Sequence, residues 1–201
     1  MITVVIPFAG AEGKTRLHSS TRIRRSLAHA MFRDVLAACV LVGRTRVVTP
    51  DEEAAAAARD AEAEAVDDPG GGQGAAVRAG LEGVERGGIL VVNADVPCVV
   101  PDDLRSLLAA TPAGCFALVE ALDGTTNALS LPSAESFAPL YGPSSSDRFR
   151  AHADSLGVEA VSAAIPNLAD DVDTMDDLTR VQLRAGPRTQ ACLSELERIP
   201  N

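Results

Sequence analysis

Tryptophan is absent from this chain and aromatic residues make up only 3% of it, so Ala, Val and Leu have to fill the core. Cations are scarce as well: 18 Lys and Arg stand against 28 Asp and Glu, a formal net charge of −10. That balance repels a phosphate backbone unless a basic stripe gathers somewhere, and none does, which argues against nucleic acid as a partner. Arg22, Arg24 and Arg25 come nearest, and they fit one solvated helical turn. The four cysteines (Cys39, Cys98, Cys115 and Cys192) contain no Cys-x-x-Cys pair. A thiolate zinc site is therefore not expected, and free thiols in a reducing cytoplasm are. The three histidines, His18, His29 and His152, lack ligand spacing, and no Ser-His-Asp pattern accompanies them. No apolar run reaches membrane-spanning length and no signal peptide is visible, so a cytoplasmic protein without a membrane partner is expected.

What is present is an ordinary globular balance, 46% apolar and 23% charged over 201 residues, long enough for one domain over 1–201 with a full core. Short Val/Ile/Leu runs predict strands at Thr3–Phe8, Arg46–Thr49, Ala63–Val66, Ile89–Asn93 and Cys115–Glu120. Between them, segments of helical period predict helices at Thr21–Val42, Asp51–Ala61, Gly74–Glu85 and Pro101–Ala110. Further on come a strand at Asn127–Leu131, a helix at Ser146–Ser155, a strand at Val158–Val161 and helices at Met175–Arg184 and Pro187–Arg198. This alternation predicts a Rossmann-like α/β fold, a mostly parallel sheet with helices on both faces. Continuous apolar strands such as Ile89–Val92 agree, because both of their faces would be covered.

Ligands of such sheets gather beyond the carboxyl ends of the strands, and the unusual loops fall there. The segment "VIPFAGAEGKTRL" ends a strand in Gly10, Gly13, Lys14 and Arg16. The glycines permit close backbone approach and the cations suit an anion, although neither the Walker nor the Gly-x-Gly-x-x-Gly spacing occurs and a solvated turn is the plainer alternative. "DDPGGGQGAAVRAG" follows a strand and opens a helix, so Gly70, Gly71, Gly72 and Gly74 are placed to hug a phosphate or a flat ring. Asp95 in "NADVP" emerges from a buried strand and suits a hard cation such as Mg2+. One carboxylate does not hold such an ion, and "LADDVDTMDDL" supplies Asp170, Asp171 and Asp173. There Asp173 or Thr174 has the competing task of capping the helix from Met175. "DGTTNALSLP" and "YGPSSSDRF" are rich in hydroxyls and glycine; Thr125, Thr126, Gly142, Ser144 and Ser145 suit a small anion, and Ser145 or Ser146 equally suits a helix cap.

Together, and in sequence order, these segments resemble the 2-phospho-L-lactate guanylyltransferases of deazaflavin-coenzyme biosynthesis, whose actinobacterial relatives use phosphoenolpyruvate. The matching stretches are "GKTRL", "DDPGGGQGAAVRAG", "NADVP", "TTNAL", "YGPSSSDRFRAHA" and "DVDTMDDL", and they cover nearly the whole chain. The resemblance implies the nucleotidyltransferase fold of the molybdenum-cofactor nucleotidylyltransferases. It also implies attack of a substrate phosphate on the α-phosphorus of GTP. By the same resemblance, Lys14, Arg16, Asp95 and Asp171 carry catalysis, and Asp95, Asp171 and Asp173 hold Mg2+. Pro7, Gly10, Gly13, Lys14, Gly71, Gly72, Gly74 and Ala75 bind the nucleotide, while Thr126, Gly142, Ser144 and Ser145 seat the acceptor. Small molecules are then the partners of a monomer or homodimer.

The chain departs from that pattern in places. Ala9 stands where the family has a lysine, Gly74 where it has an asparagine, and Met175 where it has a proline. Two other readings stay open at this level: a molybdopterin cytidylyl- or guanylyltransferase, and a non-catalytic nucleotide-binding protein on the same fold.

Overall fold

The computed structural model describes residues 1–10, 21–85, 87–196 and 198. Among these residues seven strands form one sheet: β1 (Ile2–Pro7), β2 (Arg44–Thr49), β3 (Glu64–Asp67), β4 (Gly88–Val92), β5 (Phe116–Glu120), β6 (Thr126–Leu131) and β7 (Ala160–Ser162), in the order β3-β2-β1-β4-β6-β5-β7. Every pairing is parallel except those of β6, which runs antiparallel to both β4 and β5. The helices are α1 (Thr21–Cys39), α2 (Glu52–Asp60), α3 (Gln73–Leu81), α4 (Pro101–Ala109), α5 (Ser145–Ser155), α6 (Pro166–Ala169), α7 (Met175–Val181) and α8 (Pro187–Leu196).

The expected α/β architecture is present, with helices on both faces. Val4 and Ile6 of β1 face a layer built by α1, α2 and α4, where Phe32, Val35 and Leu104 are buried. Val5 faces the opposite layer, in which α3 and α5 bring Val77, Leu81 and Phe149 against the sheet. Thr3–Ile6 of β1 and Ile89–Val92 of β4 are buried, so these strands have no solvated face and read as nearly continuous apolar runs, interrupted in β1 by Thr3. Gly80 lets α3 lie close to the sheet: a Cβ there would sit 2.6 Å from Val5 Cγ1 and 2.9 Å from Val48 Cγ2.

Several boundaries differ from expectation, each for a local reason. Helix α1 ends at Cys39 rather than Val42, because the next residues turn on bonds from Val42 and Gly43 N–H to the Cys39 carbonyl. Helix α3 starts at Gln73 and stops at Leu81, short of Glu85, and α7 stops at Val181, short of Arg184. The last strand lies at Ala160–Ser162, later than the apolar run at 158–161 indicates, set by pairing with β5. The short helix α6, opened by Pro166, has no clear periodic signal in sequence. Helix α8 is anchored on α1 by Asp34, whose carboxylate accepts from the Arg188 and Thr189 N–H groups and the Thr189 hydroxyl at 3.1, 2.8 and 2.7 Å.

Candidate active site

The strand order reverses between β2 and β4 on either side of β1, and a crevice opens beyond the carboxyl ends there, the usual ligand position of such sheets. Asp95 stands just past β4. Asp171 and Asp173 arrive from the other end of the sequence, on the segment before α7. A hydrogen bond of 3.0 Å from Val172 N–H to the Asp95 carbonyl ties the two segments together. One carboxylate oxygen from each of Asp95, Asp171 and Asp173 then lies within 4.8 Å of the others. The competing capping task falls to Thr174: its hydroxyl accepts from Asp177 N–H, and the Asp177 carboxylate accepts from Thr174 N–H in a capping box. Asp173 is thereby left to join the cluster.

Burial raises the Asp171 carboxyl from its ordinary 3.8 to about 6, and the charges of Asp95 and Asp173 push in the same direction. Three hard oxygen donors, one of them paying for its neighbours' charge, form a set that suits a divalent cation of the magnesium type.

A cavity of about 360 Å³ adjoins the cluster, lined by Pro7, Gly10, Gly72, Gln73, Asp95 and Asp173 among others. A wider groove of about 970 Å³ lies on the far side of the glycine-rich turn, with Gly71, Gly72, Gly74, Ala75 and Gly142 along it. Gly72 and Gln73 belong to both, so the turn is the wall between them. Gly70, Gly71 and Gly72 all have φ between 76° and 88°, with nothing within 4 Å of a Cβ built at Gly70 or Gly72; the glycines are needed for backbone conformation, not for space. Gly13, Lys14 and Arg16 lie outside the described residues, as does His18.

The hydroxyl-rich segments meet at the start of β6. Ser145 Oγ donates to Thr126 Oγ1 at 3.1 Å, and Ser146 Oγ donates to the Thr125 carbonyl at 2.8 Å. Neither serine caps α5. Ser144 occupies the cap position in the left-handed region at φ 54° and makes no side-chain cap bond, which corrects the capping expectation for Ser145 and Ser146. Thr126 and Ser145 are buried, Ser144 is exposed and Gly142 is half-buried at the groove. The register between β5 and β6 slips at this point, with Val119 opposite Ala128 but Glu120 opposite Thr126. Strict alternation would put Thr126 on the face of Ala128, in the α1 layer; the irregularity turns it to α5 of the other layer.

Sequence reasoning did not find three amides beside the carboxylates. Gln73 Nε2 donates to Asn93 Oδ1 at 2.6 Å, Asn93 Nδ2 to Asn127 Oδ1 at 3.3 Å, and Asn127 Nδ2 to Asp171 Oδ1 at 3.3 Å. The available signal was Asn127 itself, an amide in the otherwise apolar strand "TNALSL", where a buried polar side chain needs a partner. His29 is buried, with Nε2 3.2 Å from Asp51 Oδ2, and takes no part in the acidic cluster.

Residues 20–167 match the family described as MobA-like NTP transferase domain. A phosphoenolpyruvate guanylyltransferase of Streptomyces scabiei is 33% identical, over 98% of this chain and 96% of its own. One from Conexibacter woesei is 36% identical, over 85% of this chain and 81% of its own. Among solved structures, a putative nucleotide-diphospho-sugar transferase from Desulfovibrio desulfuricans superposes with a TM-score of 0.76 at 14% identity, over 98% of this chain and 95% of that one; it shares the fold. The crevice, its acidic cluster and the glycine-rich wall thus stand in a chain that belongs to the MobA-like NTP transferase family.

Proposed function

We propose that the protein transfers GMP from GTP to phosphoenolpyruvate, with Mg2+ held by Asp95, Asp171 and Asp173. The observation that carries the reading is the convergence of three carboxylates from distant segments within 4.8 Å, beside a cavity walled by a glycine-rich turn. The names of the relatives favour phosphoenolpyruvate as acceptor over 2-phospho-L-lactate.

In this reaction a phosphate oxygen of phosphoenolpyruvate forms a bond to the α-phosphorus of GTP. The bond from that phosphorus to the bridging oxygen breaks, and pyrophosphate leaves. The acceptor phosphate is already ionised, so no general base is needed, in keeping with a cluster free of histidine. When bound, the cation would neutralise charge developing on the phosphoryl oxygens. The carboxylates position it; Pro7, Gly10 and the segment Gly71–Ala75 receive the nucleotide, and the resemblance assigns Lys14 and Arg16 to its triphosphate. Thr126, Gly142, Ser144 and Ser145 shape the acceptor end, the two buried hydroxyls by holding the Gly142–Ser144 turn in place. The product is a GDP-type conjugate of a three-carbon acid, suited to deazaflavin-coenzyme assembly in the cytoplasm, made by a monomer or homodimer acting on small molecules.

A pyrophosphate-release assay with each nucleoside triphosphate, with and without each acid, tests this. Turnover is expected with GTP and phosphoenolpyruvate, falling about 10³-fold in Asp95→Asn with the circular dichroism spectrum unchanged. CTP turnover with molybdopterin, silence with every pair, or near-normal turnover in Asp95→Asn would each overturn it.

A further inference from the structure

The three amides joining the glycine-rich turn to Asp171 all point the same way. An ionised carboxylate only accepts, so Asn127 has to present its NH2 to Asp171 Oδ1, and the same NH2 also donates to the Ala169 carbonyl at 3.2 Å. Its Oδ1 is left to accept from Asn93, whose NH2 donates at 3.3 Å both to that oxygen and to the Thr126 carbonyl. Asn93 Oδ1 in turn accepts from Gln73. The anion at one end and the carbonyls of Ala169 and Thr126 thus agree on which way each amide lies, as far as the first residue of α3. Gln73 lines both the cavity beside the carboxylates and the groove behind the turn.

We propose that Gln73, Asn93 and Asn127 form a positioning relay through which the glycine-rich turn sets the orientation of the Asp171 carboxylate, so that the affinity of the acidic cluster for a divalent cation depends on Gln73, which is not itself bonded to any of the three carboxylates. The proposal rests on the reading of that cluster as a metal site. Outer partners of this kind typically alter metal affinity by about 10- to 100-fold where they touch the ligand. Two links further out, at Gln73, about 3- to 10-fold is expected.

The polarity gives a test whose sign separates the relay from plain electrostatics. Gln73→Leu removes the outer donor. Gln73→Glu does more: a second anion at the far end demands the NH2 of Asn93 against its bond to the Thr126 carbonyl, so two oxygens face each other either between Asn93 and Asn127 or, if Asn127 turns as well, at Asp171. Coulomb attraction alone would make that added negative charge tighten a cation. Mn2+ binding to the metal-stripped full chain, read from the electron paramagnetic resonance signal of free Mn2+ without nucleotide, decides between them. The relay predicts weaker binding in Gln73→Leu and weaker still in Gln73→Glu, with thermal unfolding in EDTA close to wild type in both. Unchanged affinity in Gln73→Leu, or tighter binding in Gln73→Glu, would overturn the relay while leaving the metal site standing. Absence of Mn2+ binding by wild type would overturn both. Gln73 is half-buried at the start of a helix, so neither variant threatens folding; in the buried Asn127, Asn127→Ala serves as the adjoining-link comparison, expected to lose about 10- to 100-fold.

Discussion

Replacing Asp171 by asparagine is expected to make the metal-free protein more stable while disabling its site. Shifting a carboxyl from 3.8 to about 6 corresponds to about 3 kcal/mol against the ionised form. Partial solvent access screens some of this, leaving about 1–2 kcal/mol at neutral pH. Asparagine removes the buried charge and its repulsion by Asp95 and Asp173, keeps an Oδ1 to accept from Asn127, and adds an NH2 facing those two carboxylates. The sign with pH follows from the raised value. Above about pH 6 the native carboxylate is ionised and costs stability; as pH falls from 6 towards 3.8, the native state binds a proton that the unfolded chain does not, and the cost fades. Urea unfolding in EDTA at pH 7.5 should therefore place Asp171→Asn about 1–2 kcal/mol above wild type, with the gap narrowed by pH 5 and closed only near pH 3.8. Saturating Mg2+ should reverse the order, since wild type gains about 2.7 kcal/mol at a hundred times its Kd and the variant little. If Asp171→Asn is no more stable than wild type in EDTA at pH 7.5, the cost assigned to a buried charge at Asp171 beside Asp95 and Asp173 does not exist.

Two further substitutions test how the fold holds the site. In Gly74→Ala the new Cβ would lie 2.7 Å from Pro139 Cβ and 3.1 Å from its Cα. The clash should outweigh the roughly 1 kcal/mol that alanine gains in a helix, giving a net loss of about 1–2 kcal/mol in urea unfolding; a stabilised variant would show that Pro139 yields freely. Asp34→Ala leaves two N–H groups and a hydroxyl at the start of α8 without their acceptor, a loss of about 2–4 kcal/mol with early tryptic cleavage near α8; resistance equal to wild type would refute the anchoring role.

The layered sheet was legible because its signals are local and repeated: β1 and β4 are apolar on both faces, and Pro101 and Thr174 mark helix starts. The carboxylate cluster was legible only as parts. Asp95 and Asp171 are far apart in sequence, and it is the backbone bond from Val172 to Asp95 that brings their segments together. The caps were less legible, since "GPSSS" offers three serines of equal capping propensity. Tertiary contacts decide among them: Thr126 draws the Ser145 hydroxyl inward and the Thr125 carbonyl draws that of Ser146, while the cap position falls to Ser144 without a cap bond. The amide relay had no periodic signature at all, because its members sit at the ends of elements that meet only once the sheet has formed.

Strand β6 explains why those ends meet. In an all-parallel sheet the residues facing the crevice are the last of each strand, and each leads directly into its own loop and helix. By running antiparallel between β4 and β5, β6 presents its first residues there instead, straight after the Asp123–Thr125 turn. Asn127 therefore pairs with the end of β4, where Asn93 N–H donates to its carbonyl at 2.9 Å, and its side chain can bridge Asn93 and Asp171. The register slip next to it sends Thr126 towards α5 instead of the α1 layer. One irregular point in one reversed strand thus divides two adjacent residues between two tasks, Asn127 at the acidic cluster and Thr126 at the hydroxyl-rich turn. A regular β6 would place Thr126 on the α1 face, away from Ser145, and the turn carrying Gly142 and Ser144 would lose the contact that fixes its position.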